Sequence, residues 1–411
     1  MYVYSQLRTA VGTLIRRTTF VFLVAAGAFC ATPPHVPGRL LAGRRASLEP
    51  SLEARIWRLH GAVERRHLAP LGIHVLDVPE EASEAIRQSL QQSGLFDYVE
   101  PDYYAQEGAS TPNDSYYGSQ WHLPKIGSSA AWSRTTGSAS VVIAVVDSGV
   151  YAAHPDLAAK LVPGWNFVKA NADTSDTTGH GTAVAGAAAA ETNNGIGVAG
   201  VSWASVVMPL AVTDSTGFAA YSDIAAAIQY AADRHVRVIN VSIGGTALSS
   251  VLQTAVDYAW NRGALLFAAA MNSSSGTPNY PAACKHAIGI SATDESDGLA
   301  PFSNYGAWIT LSAPGTDILT TMRGGGYGYE NGTSFAAPIA AGVAALVLAA
   351  NPQLTNQQVL EILRQTADPV GRPGFDPYYG WGRVNAARAV ELAAPPLRVT
   401  HAPDARPPHR P

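Results

Sequence analysis

The heptapeptide Ser140-Val141-Val142-Ile143-Ala144-Val145-Val146 is an unbroken run of small and β-branched residues that ends at Asp147. A strand with both faces covered has this composition, because each face packs against another layer. Similar runs and intervening helical segments follow it along the chain. The predicted strands are Ser205–Val212, Val236–Val241 and Ala264–Ala269, and the predicted helices are Thr182–Ala190 and Ser222–Arg234. This alternation predicts a parallel α/β sheet covered by helices on both faces, with its chemistry at the carboxyl ends of the strands.

The composition excludes several classes of protein. The chain has 411 residues, of which 47% are hydrophobic and 14% are charged, so it is not a disordered chain. A net charge of -4 gives no basic footprint for nucleic acid. Two cysteines allow at most one disulfide, which excludes a disulfide scaffold and any multi-cysteine metal cluster.

The first 30 residues have the pattern of a secretory signal peptide. Arg8, Arg16 and Arg17 precede an uncharged run, Thr18–Cys30, that contains several small residues. The run is shorter than the ~20 apolar residues that span a bilayer. The sequence therefore predicts a secreted, extracellular protein, with an uncleaved membrane anchor as the alternative.

The next segment changes character near residue 69. Residues 31–68 are rich in arginine and proline, so a linker or the loose start of a longer segment is expected. Gly72–Val78 alternates like a strand, residues 79–94 have helical spacing, and Leu95–Tyr104 reads as a second strand. Such a β-α-β unit is too small for stability alone to be expected, so we expect it to pack against something larger.

Three polar residues lie on turns at the ends of predicted elements. Asp147 ends the first buried strand, and His180 stands between two glycines at a helix start. Ser334, in Asn331-Gly332-Thr333-Ser334-Phe335-Ala336-Ala337-Pro338, begins a helix that is apolar on every side. A serine hydroxyl becomes a nucleophile when a base lies within hydrogen-bond reach and an acceptor orients that base. An aspartate, a histidine and a serine meet this need.

These three segments, in the order Asp–His–Ser, resemble the signature blocks of the subtilisin-like serine proteases, the subtilase family. Thr111–Val390 resembles its thermitase-like branch, and residues 72–104 resemble its inhibitory pro-domain. The resemblance implies an α/β, subtilisin-like three-layer fold with a mostly parallel central sheet, preceded by a small α+β pro-domain. Motifs outside the three blocks also match: Tyr280-Pro281-Ala282, Ala313-Pro314-Gly315 and Gly380-Trp381-Gly382-Arg383-Val384-Asn385.

The resemblance also implies a domain order. We expect a signal peptide at 1–30, a pro-segment at 31–110 whose folded, inhibitor-like part covers about 69–106, and a catalytic domain at 111–394. Residues 395–411 form a Pro-rich tail that we expect to be disordered. The pro-domain would aid folding, inhibit the enzyme intramolecularly and leave by self-cleavage. The expected partners are protein and peptide substrates, without nucleic acid, and the expected mature form is a monomer.

Residue roles follow from the same resemblance. Ser334 is implied as the nucleophile, His180 as the general base and acid, and Asp147 as the group that orients the imidazole. Asn272 would join the Ser334 N–H in an oxyanion hole. Without the full pattern, a serine at a helix start is more often an N-cap. Implied substrate-binding residues are the backbone of Ser242, Ile243 and Gly244, the distant-subsite residue Tyr221, and Ala270 and Met271, the latter standing where the family usually has glycine.

The resemblance implies structural calcium as well. Calcium prefers six to eight oxygen ligands. The implied ligands are the side chains of Asp114, Asp156 and Asn194 and the carbonyl groups of Glu191, Ile196 and Val198. A second site is doubtful because Lys169 stands where an acid is expected, although Asp173 and Asp176 remain candidates for weak binding.

Two rival functions and two misleading patterns do not fit the sequence. An α/β-hydrolase lipase or esterase would have Gly-x-Ser-x-Gly and the order Ser–Asp–His, and neither is present. A non-catalytic binding protein would lack a triad member or the oxyanion asparagine. Gly195–Gly200 has the spacing G-x-G-x-x-G but follows a helix and precedes a strand, so it is not a dinucleotide site. Phe335–Ala350 is apolar but short for a membrane span, and we expect a core helix.

Overall fold

The structure is a computed structural model that describes residues 35–44, 50–104 and 111–394. The chain divides into two compact units, residues 1–106 and 107–411, which are described separately. The predicted signal peptide and the predicted Pro-rich tail lie outside the described residues.

The first unit is a four-stranded antiparallel sheet with two helices. Its strands are β1 (His35–Arg44), β2 (Val63–Leu68), β3 (Ile73–Asp77) and β4 (Phe96–Tyr103), and its helices are α1 (Pro50–Leu59) and α2 (Ser83–Gln92). The strand order is β2-β3-β1-β4. Leu40, Leu76, Leu90 and Phe96 are fully or almost fully buried between the sheet and its helices.

The linker or loose start predicted for residues 31–68 is wrong, and so is a folded part confined to about 69–106, because the earlier stretch supplies two strands and a helix of the first unit. Ile56 and Trp57 join the core from α1, and Leu40 and Ala42 join it from β1. The neighbouring arginines hid these short apolar patterns. The predicted β-α-β unit is also incomplete, since β1 lies between β3 and β4 and pairs antiparallel with both.

The second unit is built on a seven-stranded sheet in the order β11-β10-β9-β8-β5-β7-β6, and all its neighbouring strands are parallel. Its strands are β5 (Val142–Asp147), β6 (Trp165–Asn166), β7 (Val206–Ala211), β8 (Val238–Val241), β9 (Leu265–Ala269), β10 (Ala287–Thr293) and β11 (Ile309–Pro314). A separate antiparallel hairpin contains β12 (Ile318–Met322) and β13 (Gly326–Glu330). The helices are α3 (His122–Lys125), α4 (Ser128–Trp132), α5 (His180–Ala189), α6 (Tyr221–Asp233), α7 (Ser250–Asn261), α8 (Thr333–Ala350), α9 (Asn356–Thr366) and α10 (Ala386–Ala393).

Helices cover both faces of this sheet. Alternate residues of β5 enter different cores: Ile143 and Val145 pack with α5 and α8, whereas Ala144 and Val146 pack with α6 and α7. The helix α8 is long and apolar enough to cross a membrane by length and composition, but 89% of it is buried in the unit, as expected of a core helix. The predicted three-layer α/β class is confirmed.

The strand order reverses at β5. The chain continues from β5 through β6 and β7 on one side, and then places β8 to β11 on the other side. In open parallel sheets, binding sites form outside the carboxyl ends of the strands at such a reversal. The carboxyl end of β5 is therefore the expected position of the functional site.

Candidate active site

Asp147 is the last residue of β5 and is 1% exposed. Its Oδ1 atom accepts hydrogen bonds from the Ser148 N–H at 2.7 Å and from Nδ1 of His180 at 2.8 Å. Gly181 allows this approach, because a Cβ atom there would collide with the carbonyl oxygen of Gly149. The carboxylate is thus held at the strand end with one oxygen directed at the imidazole.

His180 begins α5 and leaves part of its ring exposed to two cavities. Burial lowers the pKa of His180, but the charge and hydrogen bond of Asp147 raise it, with smaller contributions from Asp176 and Glu330. The net pKa is above the ordinary value of a histidine. Because Nδ1 bonds to Asp147, Nε2 is the atom that remains to exchange protons with a substrate.

Asp176 holds the start of α5 and is a residue whose role sequence reasoning missed. Its buried carboxylate accepts hydrogen bonds from the N–H groups of Thr178, Gly179 and Thr182 and from the Ser148 hydroxyl. Both oxygens of Asp176 thus fix the loop that presents the histidine, a role different from the weak calcium binding that the sequence suggested.

Ser334 lies in the first turn of α8 and is 6% exposed. Its hydroxyl donates to the carbonyl oxygen of Ser242 at 3.3 Å, and within the described residues no hydrogen bond joins it to His180. The first N–H groups of a helix have no acceptor inside the helix, so the Ser334 N–H is available at the positive end of the helix dipole. The serine thus presents both a hydroxyl and a backbone donor.

Asn272 follows β9 and faces the start of α8. Its Oδ1 atom accepts hydrogen bonds from the N–H and the hydroxyl of Thr333, both at 2.9 Å. The side-chain amide nitrogen therefore points away from Thr333, where it is free to donate. Thr333 was missed as a functional residue, although it stands within the motif that identified Ser334.

One cleft of about 460 Å³ brings most of the predicted catalytic and substrate-binding residues together. The predicted residues that line it are Asp147, His180, Ser334, Ser242, Ile243, Gly244, Tyr221 and Met271. Ala270 does not line it: this residue is fully buried, and its N–H bonds to the Ile290 carbonyl, so its predicted contact with substrate is wrong for the side chain. Phe218 also lines the cleft and is 79% exposed. The sequence did not predict it as a site residue, although an apolar residue directly after Gly217 in a loop could have indicated one.

Met271 has φ = 74°, the left-handed region where glycine is favoured. Its Sδ atom would lie 3.4 Å from a Cβ atom added to Gly244, on the opposite wall of the cleft. The side chain therefore narrows the space between the segment after β8 and the segment after β9.

A second cavity, of about 580 Å³, lies on the other side of His180. Glu330, Arg323 and Tyr151 contribute to it together with Phe335, whose ring centroid is 5.8 Å from that of His180. Of these residues, only Phe335 stands within a motif that the sequence analysis identified. The hairpin that brings Glu330 here has no motif of its own.

The predicted calcium ligands gather beside the loop after α5. Asn194 donates to Oδ1 of Asp156 at 2.9 Å, and the Val198 N–H donates to Oδ2 at 3.0 Å. Asp114 is buried, and its Oδ1 atom has no hydrogen-bond partner among the described residues. Burial raises the pKa of Asp114, and the negative charge of Asp156 raises it further. Two buried carboxylates and an orphaned oxygen fit a cation with oxygen ligands.

At the position of the second possible calcium site, Lys169 forms an ion pair with Asp173, one of the two candidate ligands. Its Nζ atom lies 3.0 Å from Oδ2 of Asp173, and both side chains are about half exposed. This ion pair satisfies the charge of Asp173 without a metal.

Comparison with known proteins assigns the family. The profile of the Subtilase family matches residues 138–382. The chain is a subtilase. It is 42% identical over 308 residues to a thermophilic serine proteinase of Bacillus sp. (strain AK1), covering 75% of this chain and 76% of that one. It is also 42% identical to thermitase of Thermoactinomyces vulgaris, covering 68% of this chain and 99% of thermitase. A protease structure from Pseudoalteromonas arctica matches with a TM-score of 0.65 and 33% identity, over 69% of this chain and all of that chain.

This subtilase is therefore a serine endopeptidase similar to thermitase, and its substrates are proteins or peptides. The expected fold, family and class of enzyme are confirmed. The rival assignment to the α/β-hydrolase lipases is wrong, because the family match and the relatives are those of subtilases.

Proposed function

We propose that this subtilase hydrolyses peptide bonds through an acyl-enzyme formed on Ser334. The observation that carries the proposal is the 2.8 Å hydrogen bond from His180 Nδ1 to the buried Asp147, in the cleft that also contains Ser334. The buried carboxylate holds the imidazole in the tautomer whose Nε2 accepts a proton. It also stabilises the imidazolium that forms during the reaction.

The first half-reaction transfers the acyl group. The Ser334 hydroxyl turns from the Ser242 carbonyl to Nε2 of His180, which takes its proton as Oγ attacks the scissile carbonyl carbon. The tetrahedral intermediate collapses when His180 returns the proton to the leaving amine. Water then repeats the sequence on the ester and releases the second product.

The negative oxygen of the tetrahedral intermediate needs donors already in place. The Ser334 N–H and the side-chain amide of Asn272 are the two groups that supply them, because Thr333 occupies the opposite end of the Asn272 amide. The segment Ser242–Gly244 offers backbone groups to an extended substrate, which would pair with it as an added strand. Met271 and Tyr221 would contact substrate side chains at nearer and more distant positions.

The synthesis of the enzyme as a zymogen is part of the proposal. The N-terminal unit, described for residues 35–44 and 50–104, has its own core and precedes the catalytic domain at 111–394. We assign it as the pro-domain of a pro-segment at 31–110, which aids folding and inhibits the enzyme until self-cleavage between residues 105 and 112. At the N-terminus, three arginines are followed by an uncharged run. This pattern supports the removal of residues 1–30 as a signal peptide during secretion.

Structural calcium is also proposed. Asp114, Asp156 and Asn194 would hold the ion with the carbonyl groups of the loop after α5, from Glu191 to Val198. When bound, calcium would neutralise the two buried carboxylates and fix this loop. It has no part in the chemical steps.

The decisive experiment compares the wild-type chain with Ser334→Ala for casein hydrolysis and for release of the pro-segment. The wild type should process itself and digest casein, whereas the variant should remain full-length and inactive. A matched control is Ser296→Ala, which alters an exposed serine in a loop outside the cleft. Processing and hydrolysis that survive in Ser334→Ala would disprove the mechanism.

A further inference from the structure

Two neighbouring strands of the first unit bring a carboxylate and two imidazoles together. Glu64 and His67 on β2 and His74 on β3 each offer one donor atom, and these atoms lie within 4.8 Å of one another. His67 stands directly opposite His74, and their rings stack with centroids 4.2 Å apart. Imidazole nitrogens with a carboxylate oxygen are ligands that zinc and similar divalent metals prefer.

A bulge in β2 gives this cluster its geometry. Side chains three positions apart in a regular strand point to opposite faces of the sheet, which would separate Glu64 from His67. The pairing register shifts after Glu64, so that Glu64 pairs with Leu76 while His67 pairs with His74. The extra residue places both β2 side chains on the face that also carries His74, and re-aiming a side chain is a recurrent use of a bulge.

The surroundings of His74 match those of a metal ligand. The residue is fully buried, and its Nδ1 atom lies 2.6 Å from Oε1 of Glu64. Its Nε2 atom is buried without a hydrogen bond among the described residues and lies 3.6 Å from Oε1 of Glu53. A ligating histidine usually turns its other ring nitrogen toward a carboxylate that holds the ring. The indole of Trp57 packs beside the imidazole, with ring centroids 5.4 Å apart.

We propose that the first unit binds one Zn²⁺ ion through the Glu64 carboxylate, a ring nitrogen of His67 and Nδ1 of His74. Water completes the coordination, and Glu53 orients His74. The ion takes the place of the Nδ1 proton of His74, and this proton moves to Nε2, which then donates to Glu53. Its structural effect follows from the exposure of β2: five of the six residues of this strand are exposed, so apolar burial alone fixes it weakly to the sheet. Zinc would join this edge strand to β3.

The test uses the full-length Ser334→Ala protein, stripped of transition metals and supplied with calcium, and confirmed to be intact by mass spectrometry. Zinc binding is measured by titration calorimetry and by metal analysis after dialysis. We expect one zinc ion per chain, with affinity reduced at least about tenfold in Glu64→Gln and in His67→Gln. Cobalt substitution should give the visible absorption of a four-coordinate site, and both replacements should abolish it.

Two control variants separate this site from other zinc-binding groups. His60→Gln removes a histidine of the same unit that instead contacts the Ile56 carbonyl and the Ser89 hydroxyl, and it should keep the zinc. His180→Gln removes the imidazole of the catalytic cleft and should also keep it. Glu64 and His67 are exposed, so their replacement leaves the core intact, which circular dichroism without metal would verify. Equal zinc affinity in Glu64→Gln, His67→Gln and their parent, or no zinc binding at micromolar concentrations, would overturn the proposal. In the latter case Glu53 and Glu64 hold His74 without a metal.

Discussion

The side-chain oxygen of Asn272 accepts two hydrogen bonds from one residue, Thr333, whose N–H and hydroxyl both lie 2.9 Å from it. The Thr333 hydroxyl also accepts the N–H of Met271 at 2.9 Å. Thr333 therefore joins the segment after β9 to the start of α8, and it fixes which end of the Asn272 amide is turned away from Thr333. The direction of the proposed oxyanion donor thus depends on a residue to which no chemical role is assigned.

Thr333→Val should lower kcat with little change in KM, because the amide of Asn272 loses one of the two bonds that orient it. A hydrogen bond contributes about 1 kcal/mol net, which corresponds to a loss of roughly fivefold to tenfold. Asn272→Ala should cost about 10²–10³ in kcat, a magnitude known from subtilisin itself. Thr333→Ser should restore the rate of wild type. Steady-state kinetics on a chromogenic peptide measures all three variants, and a Thr333→Val enzyme with the kcat of wild type would contradict the positioning role.

Glu330→Gln should move the acid limb of kcat/KM to lower pH. Neutral His180 is the proposed base, so activity rises as pH increases through its pKa, which lies above the ordinary histidine value. The carboxylate of Glu330 contributes to that increase, and its removal lowers the pKa. The variant should therefore keep a larger fraction of its activity at mildly acidic pH.

The control for this pH profile is Glu361→Gln, an exposed glutamate on α9 outside the catalytic cleft. It removes the same charge from the protein and should leave the acid limb unchanged. Identical profiles for Glu330→Gln and the wild type would show that Glu330 does not influence the catalytic base.

Met271→Gly should widen the cleft, so that it accepts a larger substrate side chain at P1, the residue before the scissile bond. The Met271 side chain approaches Gly244 across the cleft and adopts a backbone conformation that glycine takes without strain. We expect the ratio of kcat/KM for phenylalanine over alanine at the P1 position to rise about tenfold, the scale set by one or two methylene groups in an apolar pocket. Met322→Ala, in the second cavity, serves as the control and should not change this ratio. An unchanged ratio in Met271→Gly would show that Met271 does not set the pocket size.

Removal of calcium should lower the melting temperature of the catalytic domain. A ligand that binds only the folded state stabilises it in proportion to the logarithm of its concentration. Asp114→Asn should abolish most of this response to a chelator, because it removes one of two buried carboxylates at the proposed site. Asp173 is already paired with Lys169, so the melting temperature of Asp173→Asn should respond to a chelator as that of the wild type does. A melting temperature that is insensitive to chelation in wild type would remove calcium from the account.

The elements of the catalytic domain were predictable from sequence because their signals are local. The buried strand ending at Asp147 was expected over Ser140–Val146 and is observed over Val142–Asp147, and the helix expected over Ser222–Arg234 is observed as Tyr221–Asp233. Continuous apolar runs and glycine-marked turns define such elements without reference to distant residues. The three signature blocks then supplied the residues of the proposed triad.

What the sequence missed depends on contacts between distant segments. The oxygens of Asp176 fix the loop before His180 through contacts that no local pattern reveals, and Glu330 reaches the second cavity beside His180 only because a hairpin folds back. In the first unit, the arginines of β1 and α1 obscured the apolar residues that enter the core. The partners of a polar side chain, and the strands that lie between two others, are set by tertiary structure rather than by local pattern.

The central claim is that Ser334 carries the acyl group. An arylsulfonyl fluoride forms a stable covalent adduct with an activated serine, and peptide mapping by mass spectrometry locates it. We predict one adduct per chain, on Ser334, formed in step with the loss of activity and absent when His180 is replaced by alanine. Complete inactivation with Ser334 unmodified, or an adduct on Ser334 that forms equally fast without His180, would contradict the account.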